Sequence, residues 1–494
     1  MYKTVAISIK KIGDFLNVRL ENRYAIYLVM AVFTLLFFST SYIVGISKFS
    51  PDSWTYFELS KTVFGENFYK FNTIRSYLTR EYAASFPLGF PLVIALASLL
   101  IGQGPMIAVI INICTAIATG FLLFNICKII KIPVLASFAI ICSLLLYQPY
   151  NDEIFSGRSI PFAVLIFFTA YYFLLKNRLF ISGIIFGFSA LIRFDFLIYA
   201  ILFQITVFVL QKKQPKYIFL MLVGFFIGIL PWVAYSYIHF GKLWISDNSW
   251  VAISAFPAYV LDYPAAPVAT AFQDPLAWVV KIIRNTPSFF ISIIRSAIKF
   301  PLLAVFFLLV AINWTRIKIE VRYSLTILFF ALFISVSPYL LTGYFDARYY
   351  SLIFLVSSII FVYVVNKTNE AIFFGIGFYG FIFLSLALTT VGGIYYLSKD
   401  AWAGVKASTE IKIQAAQIKT LNSCHQLNSS NAYIFTGDAS KLKFRYGAIT
   451  GMRTAGLPSN FSRMNEEEKI AYFEHMKPYI LIDSLSQVEK CITQ

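Results

Sequence analysis

The chain has 494 residues, of which 59% are hydrophobic and only 13% are charged, against roughly 25% charged residues in a typical soluble protein. Its apolar residues form repeated runs of about 15 to 28 residues between positions 24 and 397, the length at which a helix crosses a ~30 Å hydrocarbon core. This composition excludes a soluble multidomain protein, and the length of the runs excludes a β-barrel.

The net charge of +17 comes from lysines and arginines in small groups at the ends of apolar runs. This distribution is typical of residues that set membrane topology, and it argues against a nucleic-acid partner. The first apolar segment, residues 24–46, follows a basic stretch and is longer than the core of a typical cleaved signal peptide. We therefore expect an uncleaved signal anchor whose amino end is cytoplasmic.

The positive-inside rule assigns the later loops to the two sides of the membrane. Four basic groups fall on the side of the amino terminus: Lys128 and Lys131; Lys176 and Arg178; Lys212, Lys213 and Lys216; and Arg316, Lys318 and Arg322. The segments on the opposite, external side are residues 47–86, 147–158, 191–195, 239–285 and 343–350. This count predicts about eleven crossings, and about 11 to 13 transmembrane helices in all.

Two apolar segments do not read as simple single crossings. Residues 86–102 either re-enter on the external side or cross the membrane. Residues 179–210 contain two short apolar runs divided by Arg193 and Asp195. One long helix would bury both charges at mid-membrane, so we predict a pair of short helices with a charged external tip.

The composition changes after residue 397. Residues 398–494 contain no spanning segment but include helix-like stretches, at 402–421 and in NEEEKIAYFEHM, and strand-like NAYIFTG and YILID. We therefore predict a transmembrane domain at 1–397 and a small α/β domain at 398–494, on the external side. Cys424 and Cys491 bracket this domain, and whether they form a disulfide stays open. Cys114, Cys127 and Cys142 lie in apolar segments and are interpreted as packing residues.

No Walker motif, no GxGxxG turn and no metal-binding CxxC or HExxH spacing is present in the sequence. ATP-driven transport and zinc hydrolysis are therefore unsupported. The topology instead places Asp52, Glu153, Arg193 and Arg348 on one external side.

The order of several short motifs resembles the GT-C fold membrane glycosyltransferases. PDSWTY opens the first external loop and FPLGFP enters the next apolar run; Glu153, LIRFD and ARYYSLIF follow, and the tail contains FRYGAITGMRTAGLP. The sequence departs from protein mannosyltransferases, with Asp52-Ser53 in place of Asp-Glu. It also lacks the Lys-Pro-Pro entry of aminoarabinose transferases, having Phe86-Pro87 instead.

The resemblance implies a polyprenyl-phosphate-linked sugar donor and an inverting transfer on the periplasmic face of a bacterial inner membrane. Asp52 is the candidate base for the acceptor hydroxyl. Arg193 and Arg348, with Tyr349, are candidates to bind the lipid phosphate. Glu153 is the second catalytic candidate: it contacts the sugar or acceptor, or holds a divalent cation together with Asp52.

Each assignment has a simpler rival. Asp52 is alternatively a solvated loop residue or a helix N-cap; Arg193 pairs with Asp195, and Arg348 pairs with Asp346. The secondary site candidates are Asp152, Arg158, Arg295 and Lys299. Arg295 and Lys299 lie one helical turn apart and form either a second phosphate site or part of a basic amphipathic helix on the membrane surface.

Three alternative functions remain at this level. An oligosaccharide transferase or polysaccharide ligase uses a lipid-pyrophosphate donor with similar residues. A transporter or lipid flippase favours charges at mid-membrane and related halves, and a non-enzymatic scaffold is compatible with the composition. The acceptor is a glycan, a lipid or a protein, and the sugar is not specified.

Overall fold

A computed structural model describes most of the membrane part of the chain and short pieces of the rest. The described residues are 11–16, 23–65, 68–70, 82–84, 86–211, 215–246, 273–300, 302, 339–340, 343, 345–368, 380, 382–399, 401–402, 405, 433–436, 453–456, 466–467 and 479–482.

The described part is mainly helical. Its longer helices are α1 (11–16), α2 (Arg23–Val44), α3 (Pro51–Ser60), α4 (Gly89–Ile101), α5 (Ile107–Ile129), α6 (Val134–Leu145), α7 (Gln148–Ser156), α8 (Ile160–Leu175), α9 (Leu179–Ile192), α10 (Asp195–Gln211), α11 (Pro215–Phe240), α12 (Pro275–Ile298), α13 (Ser351–Thr368) and α14 (Ile382–Lys399). Two 3₁₀ turns, Gly45–Lys48 and Ala347–Tyr350, precede α3 and α13.

Five described helices are long and apolar enough to cross a membrane: Tyr24–Lys48, Ile107–Ile129, Lys216–Phe240, Pro275–Ile298 and Ile382–Lys399. The pair α6 and α7, bent by 56°, is a sixth candidate if it forms one broken span. The chain is thus a multi-pass membrane protein. The total of 11 to 13 helices stays a prediction, since part of the apolar sequence lies outside the described residues.

The ambiguous segment 86–102 forms α4, a helix of 13 residues. At 1.5 Å per residue it is about 20 Å long, which is shorter than a ~30 Å hydrocarbon core. The helix alone therefore does not decide between re-entry and crossing. The predicted break at LIRFD is present, because α9 ends at Ile192 and α10 begins at Asp195.

Helix α5 lies at the centre of the bundle, where it packs against α2, α4, α6, α7 and α8. Its sequence IAVIINICTAIATGFLLFNICKI is apolar around the whole circumference, as expected for a helix with neighbours on several sides. Met30 of α2 fits against Gly120 of α5, where a Cβ would meet the methionine sulfur. Because α7 and α8 also pack against α5, their positions are set by one central helix.

Helices α9 and α11 cross with their backbones in direct contact. Each contributes a Gly-xxx-Gly pair, Gly183 and Gly187 on α9 and Gly224 and Gly228 on α11. A Cβ at any of the four would overlap a backbone carbonyl or Cα of the other helix. Small residues at this spacing allow close helix packing in membranes. This contact fixes α9, whose end carries Arg193.

Three short parallel strands are described in the tail: β1 (Tyr433–Thr436), β2 (Arg453–Gly456) and β3 (Tyr479–Ile482), in the order β2-β1-β3. Strands β1 and β3 lie within the predicted NAYIFTG and YILID. The α/β domain as a whole stays a prediction. Cys424 and Cys491 lie outside the described residues, while Cys114, Cys127 and Cys142 have free thiols and only Cys127 of these is buried.

Candidate active site

Asp52 lies in the first turn of α3, whose start is set by local sequence. Ser50 is the N-cap: its hydroxyl accepts from the Ser53 amide at 3.3 Å, and the Ser53 hydroxyl accepts from the Ser50 amide at 3.1 Å. Pro51 follows at the first helical position. Proline has no backbone N–H, and at this position an N–H would have no acceptor within the helix. PDSWTY is therefore a helix and not a loop, and Asp52 is a first-turn residue and not the N-cap.

Aromatic residues anchor this short helix. Trp54 and Tyr56 are buried, and the Tyr56 ring lies edge-on to Phe86 and Phe90. Its hydroxyl is 2.9 Å from the Ser159 hydroxyl at the start of α8. Burial raises the pKa of Tyr56 to about 12, so the phenol is neutral at physiological pH. Asp52 thus projects from a rigidly packed turn.

Glu153 lies on α7 and is fully buried, so the expectation that its segment is a loop is wrong. Gly157 ends α7 in a left-handed conformation (φ 70°) that favours glycine. The turn brings Arg158 back toward the helix, and its Nη1 lies 2.8 Å from Glu153 Oε1. Asn112 of α5 fixes this turn by donating to the carbonyls of Glu153 and Arg158.

Arg193 occupies the break between α9 and α10. It pairs with Asp195, which is the simpler of the two roles that the sequence allowed. Its Nε and Nη2 donate to the carboxylate at 3.0 to 3.3 Å, and its Nη1 donates to Ser159 at 3.4 Å. Asp195 also accepts a 2.7 Å hydrogen bond from Tyr339. Burial alone would lower the pKa of Arg193, but Asp195 raises it well above its usual value. Arg193 is therefore a permanently charged and firmly held guanidinium.

Arg348 connects the parts of the site. It lies in the 3₁₀ turn before α13, where its Nη1 is 3.4 Å from Asp52 Oδ2 and 3.7 Å from Glu153 Oε1. Its Nε is 3.2 Å from Asp346 Oδ2, so the local pair also forms. Burial acts to lower its pKa, but Tyr349 and the three carboxylates raise it above its ordinary value.

The Tyr349 ring contacts both arginines. The guanidinium carbons of Arg348 and Arg193 lie 4.8 and 5.4 Å from its centroid, and the Tyr339 ring stacks on it at 4.7 Å. Arg348 Nη2 also donates to the Tyr349 hydroxyl at 3.0 Å. Cation–π contact partly offsets the repulsion between two neighbouring guanidiniums. The structure therefore brings Asp52, Glu153, Arg193, Arg348 and Tyr349 together.

A cavity of about 280 Å³ lies beside this cluster. It is lined by Lys48, Gln148, Pro149, Asp152, Glu153, Arg158, Lys299, Asp346, Ala347 and Arg348. The secondary candidates Asp152, Arg158 and Lys299 are thus next to the main group. Arg295 is exposed on α12 and is not among the lining residues. The proposed pairing of Arg295 with Lys299 in one phosphate site therefore has no support from the geometry.

The suggested divalent cation between Asp52 and Glu153 does not fit this arrangement. A cation shared by two carboxylates needs their oxygens free to face it. Here Arg348 Nη1 already lies within 4 Å of both. Among the residues that the structure describes, no group of three or more His, Cys, Asp or Glu side chains is arranged to hold a metal ion. The guanidinium supplies the positive charge between the two acids.

Four contributors were not identified from the sequence: Lys48, Tyr56, Ser159 and Tyr339. Lys48 had a detectable signal, because it follows the first apolar run on the same predicted side of the membrane as Asp52. It pairs with Asp152 at 3.2 Å. The other three are common residue types, and only the folded contacts distinguish them.

No protein-family model matches the chain, and no curated protein is significantly similar to it. Among solved structures, it is similar to a crystal structure of ArnT from Cupriavidus metallidurans bound to undecaprenyl phosphate. The match covers 93% of this chain and 90% of that one, at 11% identity and a TM-score of 0.56. A second ArnT structure, in the apo state, matches over 94% and 90% at 12% identity and a TM-score of 0.41.

At this level of identity the likeness to the lipid-bound ArnT structure concerns the fold. The chain has the fold of a GT-C membrane protein, as the resemblance in sequence predicted.

Proposed function

We propose that this chain is a membrane glycosyltransferase that moves a sugar from a polyprenyl-phosphate donor to an acceptor hydroxyl. One observation carries the proposal: Asp52, Arg348, Tyr349 and Arg193 form one continuous cluster. The cluster occurs in a chain with the fold of ArnT, which binds undecaprenyl phosphate in its crystal structure. An acid beside two arginines is the chemistry that such a transfer requires.

The lipid phosphate binds at Arg348 and Tyr349, with Arg193 as the second cation. Arginine suits this role because its planar donors match phosphate oxygens and its charge does not titrate. Arg193 has part of its guanidinium occupied by Asp195 and Ser159. Arg348 is the main phosphate ligand because it contacts both the base Asp52 and the Tyr349 hydroxyl, and Arg193 acts through its remaining donors and its charge.

Asp52 is the general base. Its side chain is 40% exposed to an incoming hydroxyl, whereas the Glu153 carboxylate is held in an ion pair by Arg158 at 2.8 Å. The first turn of a helix also favours a negative charge. The acceptor O–H proton passes to Asp52 as the oxygen bonds to the anomeric carbon on the face opposite the phosphate. The carbon–oxygen bond to phosphate breaks, its electron pair leaves with the phosphate, and the anomeric centre is inverted.

Arg348 stabilises the charge that develops on the leaving phosphate. In the structure it contacts Asp52 directly, so an arriving phosphate competes with Asp52 for the same guanidinium. Binding of the donor thereby loosens the Asp52 ion pair and makes the carboxylate a better proton acceptor. Glu153 and Asp346 hold Arg348 in place during this exchange.

The site lies on the periplasmic face of the inner membrane in this proposal. Transmembrane residues 1–397 carry the reaction, with the external segments 47–86 and 239–285, and residues 398–494 form a domain on the same face. This placement follows from the distribution of lysines and arginines among the loops. An external site has no access to nucleotide sugars, which is consistent with a lipid-linked donor.

Binding of lipid by the purified full-length protein tests the proposal. Native mass spectrometry or a fluorescence titration would compare undecaprenyl phosphate with undecaprenyl pyrophosphate. We expect tighter binding of the monophosphate. A preference for the pyrophosphate would favour an oligosaccharide transferase or polysaccharide ligase, and absence of binding to either lipid would contradict the proposal.

A further inference from the structure

Glu153 is buried with hydrogen-bonding capacity that the chain does not use. Its residue exposure is 0%. Neither carboxylate oxygen has a hydrogen-bond partner of good geometry among the described residues, although Arg158 lies at ion-pair distance. An ionised carboxylate accepts up to about four hydrogen bonds, and leaving them unmade in a buried place costs free energy. Because Glu153 lines the cavity, a donor group there would meet this need.

The charges around the cavity define a second requirement. The other two acids are paired, Asp152 with Lys48 and Asp346 with Arg348, each at 3.2 Å. Lys299 lies on the exposed rim and, within the described part of the chain, has no carboxylate at ion-pair distance. The cavity therefore has one cation in excess, and an occupant with one negative group would balance it.

The cavity is adjacent to the proposed base and shares Arg348 with the proposed phosphate site. Arg348 lines it, and Arg348 Nη1 contacts both Glu153 and Asp52. Tyr349 and Arg193 are not among the lining residues. Asp52 is not a lining residue either, so an occupant of the cavity approaches Asp52 across Arg348 and leaves Tyr349 and Arg193 open to the phosphate.

We propose that this cavity is the acceptor subsite and binds one sugar ring that carries a carboxylate or phosphate group. Ring hydroxyls donate to Glu153, the anionic group pairs with Lys299, and a remaining hydroxyl faces Asp52. A volume of about 280 Å³ is close to the lower end of the roughly 300 to 1,000 Å³ typical of ligand pockets, which is enough for one sugar ring. The proposal rests on the glycosyl-transfer function above and names its acceptor class as an acidic saccharide.

Saccharide binding without turnover tests this inference. Saturation-transfer NMR on the full-length protein in detergent would use D-glucuronic acid and D-glucose as probes, with and without saturating undecaprenyl phosphate. We expect binding of both sugars, tighter for glucuronic acid, and binding that persists when the lipid is present. Displacement of the sugars by the lipid would assign the cavity to the donor and overturn the acceptor assignment.

Two variants and a control locate the binding. Glu153→Gln should weaken binding of both sugars on the order of tenfold, because Gln accepts fewer hydrogen bonds and has no charge. Lys299→Met should weaken glucuronic acid alone, whereas Lys128→Met, an exposed lysine at the end of α5, should change neither.

The inference fails if wild-type protein binds neither sugar, or if Lys299→Met leaves glucuronic acid binding unchanged. Lys299 is exposed, so its variant remains informative even where Glu153→Gln does not fold. Failure here with intact undecaprenyl phosphate binding would reject the acidic-saccharide acceptor and leave the donor proposal standing.

Discussion

Arg348 Nη1 lies 3.4 Å from Asp52 Oδ2, although 296 positions separate the two residues along the chain. Asp52 is fixed by the capping box at the start of α3, and Arg348 by a 3₁₀ turn whose N-cap, Asp346, accepts from the Arg348 amide. The ion pair thus joins two locally rigid turns. This contact places the proposed base, Asp52, directly beside the proposed phosphate ligand, Arg348.

Replacement of Arg348 should weaken donor binding. Arg348→Met removes the charge, and Arg348→Lys keeps it but cannot contact Asp52, Asp346 and Tyr349 at once. We expect undecaprenyl phosphate affinity to fall about 10- to 100-fold for Met and less for Lys. A binding titration measures this, with Arg178→Met, on the loop between α8 and α9, as the control. If Arg178→Met lowers the lipid affinity equally, the effect comes from the loss of one positive charge on the protein and not from the contacts of Arg348.

Two substitutions of Tyr349 should separate its hydroxyl from its ring. Tyr349→Phe removes the 3.0 Å hydrogen bond from Arg348 but keeps the aromatic ring that contacts both guanidiniums. Tyr349→Leu removes the hydroxyl and the aromatic ring, so the two guanidiniums lose the cation–π contact that offsets their repulsion. We expect a loss in lipid affinity of a few-fold for Phe and on the order of tenfold or more for Leu. Equal affinities for both variants would show that the ring has no such role.

Loss of the Asp195 carboxylate should destabilise the protein. Arg193 and Asp195 are both mostly shielded, with side chains 15% and 17% exposed. Asp195→Asn would leave the guanidinium without its partner, and breaking such a pair from one side costs about 3 kcal/mol. Thermal unfolding in detergent should show a lower midpoint than wild type. Tyr339→Phe, which removes one hydrogen bond to Asp195, should show a smaller decrease.

The glycine contacts between α9 and α11 allow a matched comparison. Gly187→Ala places a methyl group against the Phe225 carbonyl, so the helices must separate, at a cost of about 1 to 3 kcal/mol. Gly392→Ala makes the same change on α14, where no atom lies within 4 Å of the new methyl. We expect a lower unfolding midpoint for the first variant and little change for the second. Similar midpoints would contradict the close helix contact.

The fold was largely predictable, since membrane spans depend on local composition. Long apolar runs identified α2, α5 and α11, and the charged LIRFD stretch located the break between α9 and α10. The paired glycines of α9 and α11 are visible in the sequence, but their partnership is a tertiary contact. Sequence periodicity did not predict α3 and α7 as helices. These segments have 10 and 9 residues, and they are too short and too polar to show a helical pattern.

The residues of the site were partly predictable, and their relationships were not. Asp52 and Arg348 were selected because loop charges placed them on one side of the membrane. No sequence feature indicates that one Arg348 nitrogen lies near both Asp52 and Glu153, which is why a metal ion between the acids was a reasonable hypothesis. The burial of Glu153 likewise depends on the turn at Gly157 and on Asn112, a residue from another helix.

The central claim is that Asp52 takes the proton of the acceptor hydroxyl, and one measurement tests it most directly. Full-length wild-type and Asp52→Asn proteins would be reconstituted in vesicles with radiolabelled polyprenyl-phosphate sugars and acidic or neutral saccharide acceptors. We predict that Asn lowers the transfer rate about 10²- to 10⁴-fold, while the unfolding midpoint stays near wild type and undecaprenyl phosphate binds at least as tightly, because Asp52 no longer competes for Arg348. Transfer by Asp52→Asn at the wild-type rate would contradict the account.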